Sequence, residues 1–352
     1  MKHPVTAAAP AAAFATAADN VRRWDGAARG HYEVWYLTVN HAPTQTGYWI
    51  RYTLEAPLSG VGEPYAQLWF ARFAPRDPRR SFGINRKMPA AAMTASAAPF
   101  AVHLGGNVLE HDRARGALAG AGHDVRWDLS WQPAARTHHH LPDVMYLRGG
   151  LGETTVLSPN LDVPVSGTIT VDGETIRLDG EPGGQTHLWG KKHAFAWAWG
   201  HCNAFEGRPG AALETLTVRL RRGGVTLPPL TVLSLYLDGE ALSFHQFRHA
   251  VANRGEMGTG FYRFRAMGPS VRLEGEFTAR PDDMIVAPYV DPDGDPSYCA
   301  NCCAADLRVT VFRRSGGRFR EAARLVAPKR AAFEVAGRTR DPLVTRDHVT
   351  VG

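Results

Sequence analysis

Trp189 to Phe205 reads WGKKHAFAWAWGHCNAF and places Phe195, Trp197, Trp199, His201, Asn203 and Phe205 on alternate positions. The positions between them, 194 to 204, hold only Ala, Gly and Cys. Period-two alternation marks a strand with one crowded face and one bare face. Aromatic rings beside a His and an Asn match the wall of a ligand pocket, which is mostly apolar with a few placed polar groups. The same rings could equally fill a sandwich core, with His201 and Asn203 bonded to backbone. The bare face would let another layer approach closely.

Other stretches imitate reactive sites. CANCC, at Cys299 to Cys303, invites a zinc reading, but no second C-x-x-C follows and Cys202 lies far away, so no metal is expected. THHHLPD, Thr137 to Asp143, has consecutive histidines, yet neighbours on a strand point to opposite sides and Pro142 marks a loop. DPDGDP, Asp291 to Pro296, lacks the distal Glu of a calcium loop and reads as a turn. GGLGET, Gly149 to Thr154, is a Gly-rich loop without a following helix, which makes it a poor phosphate cradle.

The elements that must position these residues are strands. Val125, Trp127, Leu129 and Trp131 alternate with Arg126, Asp128, Ser130 and Gln132, the pattern of a strand with one wet side. Asp172-Gly173 and Asp238-Gly239 sit between β-branched or apolar runs and signal hairpins. Helical periodicity is weak, and MPAAAMTASAAPF, Met88 to Phe100, is the single Ala-rich helix candidate. Many short strands at hairpin spacing across 352 residues predict an all-β protein of two barrels or sandwiches.

Composition narrows the class. Charged residues at 21% and hydrophobic residues at 44% are those of a globular chain. The net charge of +6 is scattered in short pairs such as Arg79-Arg80 and Lys191-Lys192, so nucleic acid is not the expected partner. The first 20 residues, rich in Ala and Pro, read as a disordered tail rather than a signal peptide. No apolar run is long enough for a transmembrane helix. Four cysteines, three of them clustered, do not make a secreted disulfide framework, and the compartment expected is the cytoplasm.

Three segments together resemble the tocopherol cyclase family. They are Trp189, Gly190, Trp197, Trp199, Cys202, Asn203 and Phe205 in the centre, GHYEVWY at Gly30 to Tyr36, and YCANCCAADL at Tyr298 to Leu307. They occur in family order and span residues 30 to 307. The resemblance implies two lipocalin-like antiparallel β-barrels packed side by side, a fold shared with carotenoid hydratases. On this reading a tail of residues 1–20 precedes barrels at 21–184 and 185–345. It also implies chemistry without a cofactor: a greasy polyene or prenylated ring is held in a cavity, a proton reaches a double bond, and a hydroxyl or water captures the cation. The sequence departs from the plant-type pattern at GGQTHL, where His187 precedes Trp189, and at His193 and His201, so tocopherol itself is not the expected substrate.

Such chemistry needs a general acid, an aromatic lining and exclusion of water. His187, Glu33, His201 and Asp306 are the acid candidates, and a carboxyl buried among aromatics would stay protonated at neutral pH. Trp35, Trp69, Trp189, Trp197 and Trp199 are candidates for the lining, each ring worth about 0.5–2 kcal/mol to a nearby cation. Asn203, Phe205, His245 and Phe247 complete the expected substrate contacts. Each lone Glu or His on a strand has a bland alternative as a structural hydrogen-bond partner. The functions in view are a cyclase acting on a hydrophobic small molecule, a hydratase, and a non-catalytic carrier. Uptake of such a substrate would bring peripheral contact with a membrane.

Overall fold

All eleven residues of the strand Thr46–Ala56 are buried. A strand presents two faces, so this one is covered on both. Tyr48, Ile50, Tyr52 and Leu54 enter one hydrophobic core, while Trp49 on the opposite parity enters another. The flanking strand Tyr65–Phe73 divides in the same way, Leu68 and Phe70 against Trp69, Ala71 and Phe73. In His31–His41, Trp35, Leu37 and Val39 fill the first core, and Tyr36 packs against the second. These three strands are a wall shared by two cores.

The structure is a computed structural model that describes residues 15–146 and 153–352. It is all-β, built on two large sheets of 13 and 10 strands. In the first, Tyr65–Phe73, Thr46–Ala56, His31–His41, Glu174–Gly190 and Thr154–Val171 lie side by side, all antiparallel. In the second, Leu230–Leu237, Ala212–Arg219, Ala196–Cys202, Arg318–Gly337 and Pro296–Ser315 do the same. The chain leaves the first sheet at Gly190 and joins the second at Ala196. Its C-terminal strand, His348–Val351, returns to pair in parallel with Phe82–Pro89 in the first. Both Asp-Gly hairpins form, with positive φ at Asp172, Gly173, Asp238 and Gly239 as the tight turn demands.

Some segments differ from the sequence expectation. Met88 to Phe100 is not a helix: the Ala run spans strand ends, one 3-10 turn at Ala90–Ala92 and the strand Met93–Ala97, because pairing to Phe100–Leu104 outweighs Ala propensity. Ala15–Asn20, placed in the tail by composition, form a 3-10 helix. Thr16 and Asn20 there are buried and hydrogen-bond the two ring nitrogens of His111 at 2.8 and 2.9 Å. The remainder of the tail, residues 1–14, and most of the GGLGET loop lie outside the described residues. The bare face of Ala196–Cys202 receives a side chain rather than a strand, with the Phe277 ring lying where a Cβ on Gly200 would be.

CANCC serves close packing. Cys299, Cys302 and Cys303 are buried on Pro296–Ser315, and burial pushes the Cys302 thiol up to about 12 and the other two well above their ordinary value. Asn40 donates to the Cys303 carbonyl at 3.0 Å, and a Cβ on Gly47 would lie 2.1 Å from that oxygen. Gly47 therefore sets how near the shared wall comes to the second sheet. Gly47→Ala should lower the urea midpoint at unchanged slope, a loss of about 2–3 kcal/mol.

Candidate active site at the junction of the sheets

Between the shared wall and the second sheet lies a cavity of about 340 Å³. Tyr32 and Tyr36 reach it from His31–His41, and Trp49 and Arg51 from Thr46–Ala56. Across from them stand Trp197 and Trp199 from Ala196–Cys202, Leu216 and Val218 from Ala212–Arg219, and Val232 from Leu230–Leu237. His193, Tyr289 and Glu334 close one end. Leu141, Pro142 and Met145 lie on another side, with His245, Gln246 and Phe247. Phe247 is 56% exposed, so this rim meets solvent.

His193 is the titratable ring best placed for chemistry. It lies in the short connection between the sheets, stacked on Tyr32 with ring centroids 4.3 Å apart, on Trp197 at 5.3 Å and on Tyr289 at 5.6 Å. Its Nδ1 donates to Asp291 Oδ1 at 2.6 Å, and its backbone N–H donates to the same oxygen at 3.0 Å. Arg338 Nη1 donates to Asp291 Oδ2 at 2.6 Å. Burial alone would raise the Asp291 carboxyl, but the His193 and Arg338 contacts outweigh it and hold the group below its ordinary value. Asp291 thereby fixes the orientation of the imidazole and which of its nitrogens faces the carboxylate. The other ring nitrogen, Nε2, has no hydrogen-bond partner among the described residues.

The strand with Trp197 and Trp199 is anchored by carboxylates. Trp197 Nε1 donates to Glu334 Oε1 at 2.7 Å. Glu214, fully buried, accepts from His140 Nε2 at 2.7 Å, from His201 Nδ1 at 2.9 Å and from Trp199 Nε1. Burial opposes its ionisation, yet the two histidines hold its carboxyl far below the usual range. In THHHLPD the outer histidines turn inward, His138 to Tyr236 and His140 to Glu214, while His139 stacks on Tyr146.

The residues singled out in the sequence divide sharply by place. Trp197, Trp199, His245 and Phe247 are on the cavity wall. Glu33, Trp35, His187 and Trp189 are not, because the odd positions of His31–His41 face away from it. Glu33 accepts from His187 Nε2 at 2.9 Å and from the backbone N–H groups of Arg23 and Trp24 at 2.6 and 2.9 Å. Trp35 stacks on His187 and donates to Asn20 O, and Trp189 lies between His187 and the Arg23 guanidinium. These four tie the N-terminal segment to the first sheet. His201 stops at Glu214. Trp69 sits behind Arg51 in the second core, and Phe205 is buried in that same core. Asn203 donates to Asp162 and to Gly183 O, both at 2.9 Å, joining the two sheets. Asp306 is 40% exposed and pairs with Lys329 at 2.9 Å.

The raised carboxyl expected of an acid candidate belongs to Glu55, which burial pushes well above its ordinary value; it pairs with Tyr32 across the strands but does not line the cavity. Sequence reasoning missed His193, whose signal was its nearness to the aromatic run, and Asp291, which looked like part of a turn. Asp291 does begin that turn, accepting from Gly294 N–H at 2.8 Å. Glu214 and Glu334 carried a fainter signal, a lone acid in line with apolar residues of its own strand.

The chain matches the tocopherol cyclase-like family over residues 102–337. It belongs to that family. This tocopherol cyclase-like chain is also 29% identical over 307 residues to an uncharacterized protein of Mycobacterium tuberculosis, covering 84% of each. Its fold is similar to that of a protein assigned as an AttH from Nitrosomonas europaea, with TM-score 0.54, 17% identity and coverage of 88% of this chain and 93% of the other. Kievitone hydratase from Nectria haematococca aligns at TM-score 0.49 and 10% identity over 88% of this chain and 90% of its own. The fold is thus all-β and lipocalin-like, and membership of a tocopherol cyclase-like family supports an enzyme of isomerase type. No described helix is long and apolar enough to cross a membrane.

Glu33 offers a test of place against role. Burial would raise its carboxyl, but hydrogen bonds from His187, His31 and the Arg23 N–H outweigh burial and hold it at about 2. The folded state binds this proton less readily than the unfolded chain, so the contribution is present above about pH 4.5 and lost as pH falls toward 2. Glu33→Gln should lower stability at pH 7 and flatten the acid limb of the stability profile, with cavity ligand affinity unchanged.

Proposed function

We propose that this protein is a cofactor-independent cyclase that binds a hydrophobic prenylated, polyene or polyketide-like molecule in the junctional cavity and closes a ring by acid assistance. The observation that carries this reading is the His193–Asp291 pair set in an aromatic, largely apolar wall. Protonated at Nε2 and held through Nδ1 by Asp291, His193 is the general acid that delivers a proton to a substrate double bond. Trp49, Trp197, Trp199 and the tyrosines present ring faces to the cation that forms, and the Glu334 carboxyl, bonded to Trp197, sits at the same end. An internal hydroxyl or enol oxygen then captures the cation, and the proton it loses can return to His193. Capture by water instead would make the product a hydrate, with the same residues in the same roles.

The test is a mass-resolved incubation of the purified protein with prenylated quinols, linear carotenoids and polyenes, metal chelated and no cofactor added. The expected product has unchanged mass and a new retention time. A product heavier by one water identifies a hydratase, and ligands bound but returned unchanged identify a carrier. In a turnover assay so established, His193→Gln should lose about 10²–10⁴-fold in kcat while ligand affinity, read by Trp fluorescence, stays within a few-fold. Full activity of that variant would remove the dyad from the mechanism.

A further inference from the structure

Arg51 is a buried cation on an apolar wall. It is 5% exposed, and its Nε donates to Thr53 Oγ1 at 2.9 Å. Its terminal nitrogens make no hydrogen bond among the described residues, and no described carboxylate lies within ion-pair distance. The guanidinium is instead ringed by aromatics, 4.2 Å from the Tyr289 ring centroid, 5.6 Å from Trp49 and 5.9 Å from Trp69. The two carboxylates on the cavity wall are otherwise engaged, Glu334 by Trp197 and Glu153 by Arg222 at 2.5 Å. Glu55, two residues beyond Thr53 on the same strand parity, forms no ion pair with Arg51, and burial pushes its carboxyl well above its ordinary value against the pull of the Arg51 charge.

A charge removed from water is costly unless it is paired, and ring faces offset only part of that cost. A planar guanidinium whose outer N–H groups open on a cavity is the group that recognises a planar anion. Tyr36 and Tyr289 stand on the same part of the wall, and burial keeps both hydroxyls protonated and able to donate.

We propose that Arg51 is the headgroup-recognition residue of the cavity, and that its ligand is an amphipathic molecule with a hydrophobic body and an anionic oxygen group, a carboxylate or enolate, set against the guanidinium. The hydrophobic body then lies toward Leu216, Val218 and Val232. This inference rests on the reading of the cavity as the ligand site. It narrows the substrate class to acids and enolisable carbonyl compounds, and it fixes the end of the substrate that lies nearest His193.

The experiment compares dodecanoate with its methyl ester at pH 8, below micellar concentrations, by quenching of Trp fluorescence in the full chain. Wild type should bind dodecanoate at least tenfold more tightly than the ester. Arg51→Met should lose that preference with ester affinity retained, and Arg51→Lys should keep part of it. Equal affinity for acid and ester in the wild type overturns the headgroup inference while leaving the cavity as a hydrophobic site. The same preference in Arg51→Met overturns it too. Binding of neither probe overturns both this inference and the assignment of the cavity. The wild-type comparison decides the matter even if Arg51→Met does not fold.

Discussion

The structure depends on three strands that have no solvent face. His31–His41, Thr46–Ala56 and Tyr65–Phe73 carry a hydrophobic core on each side, so nearly all their residues are buried, with His31, Tyr36, Tyr65 and Gln67 half-buried. A half-buried strand tolerates polar groups on its wet side, but here each polar side chain must find a partner or a cavity. Thr53 takes Arg51 Nε, Asn40 takes the Cys303 carbonyl, and Tyr32 shares a hydrogen bond of 2.6 Å with Thr154. Where the two sheets diverge from close contact, the wall opens into the site. Gly47 and the small residues of CANCC hold the sheets together at one end, and large rings hold them apart at the other.

Charge inside this interior follows one rule with two departures. Glu33, Glu214 and Asp291 are each surrounded by two or more N–H donors, at least one from a histidine, and all three stay ionised against the cost of burial. Glu55 has no such company, and burial pushes its carboxyl the opposite way, well above its ordinary value. Arg51 cannot escape by losing its proton, and it faces the cavity with aromatic rings for company. Three pairs of the same chemical kind therefore do different work by position. Glu33 with His187 is sealed in structure, Glu214 with His201 steadies Trp199, and Asp291 with His193 meets the cavity.

That difference marks how far the amino-acid sequence could be read. Trp197 and Trp199 stood out because a strand's period is local, and both lie on the cavity wall. The same local rule joined Glu33 to Trp35 but could not say which face of His31–His41 met the second sheet; Tyr32 and Tyr36, on the other parity, are the ones that do. His201 kept step with Trp199, yet the register that places Glu214 opposite it stops the ring short of the cavity. Asp306 shares a family-like segment with the buried cysteines, but a bulge in the pairing turns it outward to Lys329. His193 and Asp291 are about a hundred residues apart and lie in connections, where periodicity is silent. The all-β class, the hairpins and the family resemblance were legible because they rest on local pattern; the dyad and the Arg51 cage depend on which surfaces meet.

The most direct measurement of the central claim is the position of a bound ligand. Crystals soaked or grown with 12-bromododecanoate, with data collected at the bromine edge, would place the heavy atom by its anomalous signal. The bromine is expected among Leu216, Val218 and Val232, with the carboxylate against Arg51 and the chain passing His193. A bromine inside the core of the first sheet, on the far side of the shared wall, would contradict it.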